Sequence, residues 1–295
     1  MMNKRFRPVI ALGLLSAVFT LAGCQGQEAA PPAKPPAEQT DAAPQKSEAV
    51  LDQSGCLTAL EGITQYEPGT AGSSLKLYTA AAQLTNFTQT FTSAQADALS
   101  QTAADYLTGL DASALKAFTS NLVLVDDAAR GIISKDQTAL DMLEDAGSPQ
   151  AFDAYDLDRY EAAKGLIDQA LAETSCQAAL NGVTQYEPGT AGSSLKVYIA
   201  AAKLLNAAQL AADSDMSAVT DAYLDALSAE SLQRFTDNLP SIDETARLII
   251  QGTDPTVQGM LEDAGSPQAF DHYDLDRYET LKAVIDQSLA QHADQ

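Results

Sequence analysis

The sequence contains no tryptophan, two histidines, three cysteines and only 6% aromatic residues among its 295 positions. Zinc and haem sites depend on histidine and cysteine, so this composition argues against both and against a large aromatic pocket. Basic residues are also scarce, since 17 of them accompany 40 acidic residues and leave a net charge of −23. Such a charge opposes binding to nucleic acid and to anionic lipid surfaces. We therefore expect no nucleic-acid partner and no cofactor.

Residues 1–23 are typical of a secretory signal peptide. Three basic residues, Lys4, Arg5 and Arg7, precede an apolar stretch from Val9 to Leu21. This stretch has 13 residues, whereas a membrane-spanning helix needs about 20, so it predicts a cleaved leader. Because the leader holds three basic and no acidic residues, its removal changes the net charge from −23 to −26.

The leader ends in Leu21-Ala22-Gly23-Cys24, which resembles the lipobox of bacterial lipoproteins. The resemblance implies that Cys24 is lipidated, that cleavage follows Gly23, and that two or three acyl chains anchor the protein to a membrane. Gln25 comes next, and in such lipoproteins the absence of aspartate there implies sorting to the outer membrane. We expect a protein at the periplasmic face of that membrane. The alternative is an ordinary leader with a chance cysteine.

The segment 24–50 has the composition of a linker. It contains five of the twelve prolines, among alanine, glutamine, lysine and glutamate, with almost no large apolar side chain. Such a segment cannot bury enough surface to fold, so we predict that it is disordered. It would hold the folded body away from the bilayer.

A long internal repeat dominates the remainder. Three segments recur unchanged, namely Thr64–Lys76 as Thr184–Lys196, Leu143–Asp153 as Leu261–Asp271, and Tyr155–Glu161 as Tyr273–Glu279. The period of 117 to 120 residues is too long for a solenoid. It predicts a tandem duplication of one domain, with copies at 51–173 and 174–295.

The copies have the pattern of helices. Apolar residues recur at steps of three and four, the stripe of a helix that buries one face. In the last segment of the first copy they are Leu157, Tyr160, Ala163, Ile167, Ala170 and Leu171. Ser73 or Ser74, Asp111 and Ser228 are suited to cap helices. We predict an all-α fold with about five helices per copy, packed as a bundle.

A loop rich in glycine and hydroxyl residues precedes a predicted helix in each copy. The spacing does not match a phosphate-binding P-loop, which places Gly-Lys-Ser/Thr together after a strand. The simplest interpretation is a turn at Pro68-Gly69 followed by a serine-capped helix, and the functional alternative is recognition of a partner. The candidate recognition residues are Tyr66, Glu67, Gly69, Gly72, Lys76, Tyr186, Glu187, Gly189, Gly192 and Lys196.

Acidic residues cluster around the last repeated segment of each copy, where they form a weak candidate Ca²⁺ site. They are Asp153, Asp156, Asp158, Glu161, Asp271, Asp274, Asp276 and Glu279. The spacing of an EF-hand and its central glycine are missing, so helix capping and the helix dipole are the simpler explanation.

Two pairs of opposite charge stand at i, i+4 and predict surface ion pairs. They are Asp126 with Arg130, and Asp243 with Arg247.

Cys56 and Cys176 occupy equivalent positions in the two copies. In an oxidising periplasm an even pair is a candidate disulfide, provided that the two positions meet near the axis that relates the copies.

No catalytic residues are predicted. His272 corresponds to Ala154 and His292 lies close to the end, so the copies share no histidine that could activate a nucleophile.

A cysteine near the first helix, a tyrosine and a Pro-Gly-Thr-x-Gly-like loop before the next helix resemble the YiiG-like bacterial lipoproteins of unknown function. The residues concerned are Cys56, Tyr66, Pro68–Gly72 and Tyr78. The resemblance implies a helical lipoprotein and no activity. We predict a non-enzymatic binding or scaffolding lipoprotein that contacts the membrane through its acyl chains and an unknown envelope partner through its body. The alternatives are an acidic Ca²⁺-binding protein and an envelope hydrolase that uses carboxylates.

Overall fold

A computed structural model describes residues 50–145, 155–211, 214–252 and 273–293. Within these ranges the regular structure is helical, with no strand, so the predicted all-α class is confirmed. A 3₁₀ helix covers Ser93–Gln95. The α-helices are α1 Gln53–Gln65, α2 Ser73–Thr90, α3 Ala96–Thr108, α4 Ala112–Ile133, α5 Gln137–Asp145, α6 Leu157–Gln185, α7 Ser193–Ala211, α8 Ser217–Asp225, α9 Ala229–Gln251 and α10 Leu275–Ala293.

The helices bury two hydrophobic clusters. The first cluster takes side chains from α1 to α5 and from the first half of α6, ending at Leu171. The second begins at Ala172 and continues through the second half of α6 into α7 to α10. Phe118 and Tyr160 in the first cluster, and Phe235 and Tyr278 in the second, are among the largest fully buried side chains. No helix in the described ranges has both the length and the apolar character needed to cross a bilayer.

Helix α6 belongs to both clusters. It has 29 residues and is about 43 Å long at about 1.5 Å per residue. The boundary expected between residues 173 and 174 therefore lies inside a continuous helix. Tyr160 and Ile167 face the first cluster, whereas Cys176 and Leu180 face the second. The two clusters are thus joined by a helical rod, with no flexible connection between them.

The apolar stripe predicted for the start of α6 is present with one exception. Tyr160, Ala163 and Ile167 are buried, but Leu157 in the first turn is 46% exposed. The equivalent residue Leu275 is 44% exposed. Both leucines precede the turn that first meets the core, so the expectation that Leu157 is a core residue was wrong.

Two of the predicted helix caps are confirmed and one is corrected. Asp111 accepts a hydrogen bond from the Ala114 N–H at the start of α4, and Ser228 caps α9 in the same way. Neither Ser73 nor Ser74 caps α2, because Gly72 occupies the cap position in a left-handed conformation without a side-chain bond. The turn before the helix brings the N–H of Ser73 to the Thr70 carbonyl at 3.0 Å, so no serine hydroxyl is needed there.

The continuity of α6 generates a stability prediction. Thr174→Pro removes a hydrogen bond in the middle of the helix and should cost about 3 kcal/mol or more in the free energy of unfolding, measured by urea titration. Leu157→Pro is the matched control, because it stands at the first helical position after an extended Asp156. This control should change stability by about 1 kcal/mol or less. Equal stability of the two variants would show that the two clusters do not depend on an unbroken α6.

Candidate functional site

The two candidate recognition loops have the same backbone conformation. Gly69 and Gly72 adopt φ values of 77° and 75°, and Gly189 and Gly192 adopt 76° and 75°. A side chain at these glycines would meet nothing within 4 Å, so the left-handed backbone, and not crowding, requires glycine. In each loop a threonine hydroxyl also fixes the turn. Thr70 Oγ1 donates to the Glu67 carbonyl at 2.9 Å, and Thr190 repeats this bond at the same distance.

The tips of both loops are open to solvent, because every residue from 67 to 72 and from 187 to 192 is exposed. The carboxylate of Glu67 lies 3.5 Å from Lys76 Nζ, with both side chains more than half exposed. Such a pair contributes little to stability. Glu187 and Lys196, both within the described ranges, form no equivalent pair. The charged groups of the loops are therefore available to another molecule.

The tyrosines at the base of the loops have a different role. Tyr66 is only 8% exposed, and Tyr186 is half-buried against the second cluster. The carbonyl oxygen of Tyr66 accepts a hydrogen bond of 2.7 Å from Asn121 Nδ2, which also donates to the Ile63 carbonyl at 2.8 Å. One buried amide thus satisfies two carbonyls that the end of α1 leaves without helical partners.

Asn238 makes the same pair of bonds in the second half of the chain. Its Nδ2 donates to the carbonyls of Val183 at 2.8 Å and Tyr186 at 2.7 Å. Because Asn121 lies on α4 and Asn238 on α9, a helix that comes later in the chain stabilises the base of each loop. Sequence reasoning aligned the two asparagines with each other but did not connect them to the loops.

Contacts within the fold explain most of the repeated Tyr155–Glu161 segment, but not the exposed Leu157 and Asp158. The amide of Gln89 donates to the Asp156 carbonyl at 3.2 Å and accepts from the Asp156 N–H at 2.7 Å. Arg159 donates to the Gln89 carbonyl at 2.5 Å, and Tyr155 donates to Asn86 Oδ1 at 2.9 Å. In the second half, Gln209, Arg277 and Tyr273 make the corresponding bonds to Asp274, Gln209 and Asn206.

The predicted i, i+4 ion pair between Asp126 and Arg130 is confirmed, with 3.1 Å between the Asp126 carboxylate and Arg130 Nε. It belongs to a larger network. Two nitrogens of Arg130 also donate hydrogen bonds to the Glu161 carboxylate, at 2.5 and 3.2 Å, and the guanidinium lies over the ring of Tyr160. The Tyr160 hydroxyl donates to the other oxygen of Asp126 at 2.6 Å. This bidentate geometry holds α4 against α6.

The same network recurs around Arg247. Its Nε lies 3.1 Å from Asp243, its two terminal nitrogens lie 2.5 and 3.3 Å from Glu279, and Tyr278 donates to Asp243 at 2.7 Å. Burial and the neighbouring carboxylates raise the pKa of Tyr160 and of Tyr278, so both phenols remain neutral donors. Sequence reasoning did not connect Tyr160 and Glu161 to Arg130, although their identity in both repeated segments was a usable signal.

Four of the eight weak Ca²⁺ candidates make bonds within the fold. Asp156 caps α6 by accepting from the Arg159 N–H at 3.1 Å, and Asp274 accepts from the N–H of Asp276 at 2.8 Å. Glu161 and Glu279 are the partners of the two arginines. Asp158 and Asp276 are exposed in the first turn of a helix, while Asp153 and Asp271 lie outside the described residues. Among the residues that the structure describes, no three His, Cys, Asp or Glu side chains form a metal-binding group.

The candidate disulfide between Cys56 and Cys176 is not formed, because both residues are free thiols. Cys56 is 0% exposed inside the first cluster and Cys176 is 1% exposed inside the second. Each side chain faces its own core, so the equivalence of their positions does not bring them together. Burial raises the pKa of Cys56 to about 12, with a further contribution from Asp52, and burial raises that of Cys176 to about 11.

These thiols should not react in the folded protein. At pH 8 a pKa of about 11 or 12 leaves about one thiolate in a thousand or fewer, and the core excludes reagents as well. In the Cys24→Ser chain, a thiol-reactive chromophore should label neither cysteine under native conditions and both in concentrated urea. Rapid native labelling would contradict the burial, and a failure to label in urea without reductant would reveal a disulfide.

No protein-family model matches this chain. No curated protein and no solved structure matches it either.

Proposed function

We propose that this protein is a lipid-anchored, non-enzymatic binding or scaffolding lipoprotein of the bacterial cell envelope. The anchor would be the acylated Cys24, and the body would face the periplasm from the outer membrane. The sequence Leu21-Ala22-Gly23-Cys24 behind a basic and apolar leader supports the anchor. These residues, like the linker 24–50 up to residue 49, lie outside the described residues.

The body would be a tandem duplication of a helical bundle, with about five helices in each copy. The recurrence of individual hydrogen bonds supports this proposal, because Asn121 and Asn238 support equivalent loops while Arg130 and Arg247 join equivalent helices. The shared helix α6 would then serve as the last helix of one copy and the first helix of the next.

Recognition is assigned to the two loops 67–72 and 187–192, and one observation carries this assignment. Internal bonds account for the identity of Thr70 and of the left-handed glycines. They do not account for Ala71, which is exposed and yet recurs unchanged as Ala191. The exposed pair of Glu67 with Lys76 is not repeated at Glu187, so it does not account for the identity of the two glutamates either. Two identical rigid loops on one body suit a partner that binds at two points, and two linked contacts strengthen binding well beyond either alone.

The charge of the body limits the kind of partner. A chain with 40 acidic and 17 basic residues repels other strongly acidic surfaces. Electrostatic complementarity therefore favours a neutral or basic protein surface of the envelope.

The anchor is tested by metabolic labelling with radioactive palmitate. The natural chain should incorporate label and fractionate with membranes, whereas Cys24→Ser should lose the label. Cys56→Ser is the matched control and should keep it, because Cys56 lies in the protein core. Label retained by Cys24→Ser would refute acylation at this residue.

The loops are tested by crosslinking and affinity capture from the native envelope. Glu67→Ala with Glu187→Ala should reduce recovery of a captured partner at least tenfold, and each single variant should have a smaller effect. Glu144→Ala with Glu230→Ala removes two exposed carboxylates elsewhere and should leave recovery unchanged. Equal recovery by the loop double variant, or no specific partner with the natural chain, would overturn the recognition role of the loops.

A further inference from the structure

His292, in the last turn of α10, faces a hydrogen-bond acceptor with each nitrogen of its ring. Nδ1 lies 2.7 Å from the carbonyl oxygen of Ser288, and Nε2 lies 2.8 Å from Oδ1 of Asp225 on α8. A carbonyl oxygen and a carboxylate oxygen both accept hydrogen bonds, so both ring nitrogens have to donate. Neutral imidazole carries a proton on one nitrogen only. The geometry is therefore fully satisfied by the protonated imidazolium form.

The position of His292 also favours a positive charge, because two helices end there. Asp225 is the last residue of α8, and α10 ends at Ala293. The C-terminal end of a helix carries a partial negative charge, so a cation is stabilised there and a carboxylate is not. Asp221 lies one turn before Asp225 on α8, and its Oδ1 is buried without a hydrogen-bond partner among the described residues. A protonated His292 offsets these negative charges.

The charged groups that act on His292 from neighbouring helices are both on α8. Helices α7 and α9 also pack against α10, but no charged side chain in their described parts bonds to His292. Within α10, Lys282 and Asp286 pair with each other at 2.6 Å, more than one turn before His292. Asp294, the next acidic residue along the chain, lies outside the described residues.

These contacts raise the pKa of His292 above its ordinary value of 6.5. The hydrogen bond with the Ser288 carbonyl has the largest effect, and the bond with Asp225 comes next. The negative charges of Asp225 and Asp221 act in the same direction, since each favours the charged form of the ring.

The first half of the chain has different residues at the equivalent positions. His292, Asp225 and Asp221 align with Thr174, Thr108 and Ala104. Thr174 stands in the middle of α6, which continues to Gln185, whereas α10 ends one residue after His292. The titratable cluster thus occurs where the helix lacks the continuation that stabilises its equivalent in α6.

We propose that His292 is a pH-dependent latch, which holds the last turn of α10 against α8 while its ring is protonated. Loss of the proton leaves one ring nitrogen with a lone pair that faces an acceptor oxygen, so repulsion replaces one of the two bonds. The last turn of α10 then frays, whereas Tyr278 and Ile285 in the second cluster keep the earlier turns in place.

The direction of the pH effect follows from the raised pKa. A group whose pKa is higher in the folded state contributes its full stabilisation below the unfolded value, which is 6.5 for histidine. That stabilisation is lost as the pH rises through the folded pKa of His292. The latch is therefore closed in an acidic medium and open in an alkaline one. It requires neither acylation of Cys24 nor recognition by the loops.

Nuclear magnetic resonance titration of the imidazole rings in the full Cys24→Ser chain tests the protonation of His292. His292→Gln identifies its signal, because His272 is the other histidine of the sequence. His292 should titrate above 6.5, and Asp225→Asn should lower its pKa. Asp286→Asn is the matched control, because it removes a carboxylate of α10 that pairs with Lys282, and it should leave the His292 pKa almost unchanged. A pKa at or below 6.5 would overturn the proposal.

Hydrogen exchange at the backbone amides of the last turn of α10 tests the latch itself. The protection factor, which corrects for the effect of pH on intrinsic exchange, should fall about twofold to tenfold as the pH rises through the His292 pKa. Amides in the middle of α10 should keep their protection. His292→Gln should give the low protection at every pH, and His272→Gln, the matched control, should retain the natural pH dependence.

Two results of the exchange experiment would refute the latch. One is protection of the last turn that does not change with pH in the chain that keeps His292. The other is a pH dependence that survives in His292→Gln. Circular dichroism establishes that each variant is folded, and if His292→Gln fails to fold, the titration and the exchange of the chain with His292 decide.

Discussion

The unbroken helix α6 is the constraint on which the rest of the described structure depends. Its first half completes the first hydrophobic cluster, and its second half begins the other. Because an α-helix is stiff over this length, the orientation of one cluster determines that of the next. Two cavities lined by α4, α6 and α7 are a direct result, since they lie where a helix of the first cluster and a helix of the second are both next to α6.

Polar side chains that bond from one helix to another help to specify how the remaining helices are placed. Asn121 and Asn238 each serve two carbonyls at a helix end, and each arginine network joins two helices through a glutamate and a tyrosine. An unsatisfied buried carbonyl costs more than a typical hydrogen bond contributes, so such groups permit few alternative arrangements. These polar contacts favour the arrangement that the alanine-rich helices adopt.

The sequence was informative about most of the interactions that are local. Helical periodicity, the caps at Asp111 and Ser228 and the ion pair between Asp126 and Arg130 involve residues a few positions apart, and all are confirmed. The cap at Gly72 was missed because serine has the stronger preference and only the turn geometry excludes it. The bonds from Asn121 to the carbonyls of Ile63 and Tyr66, and from Arg130 to Glu161, join residues 31 to 58 positions apart. A local sequence pattern therefore cannot predict them. The cavities lined by α4, α6 and α7 were not predicted for the same reason.

The two buried thiols have a consequence for how this chain reaches its folded state. Its cores close around Cys56 and Cys176 as ordinary small apolar side chains, without a covalent cross-link. Folding of the body then requires neither an oxidant nor a disulfide isomerase, and a reducing environment breaks no bond between these two residues. A protein built in this way can reach its folded state in a reducing compartment as well as in an oxidising one.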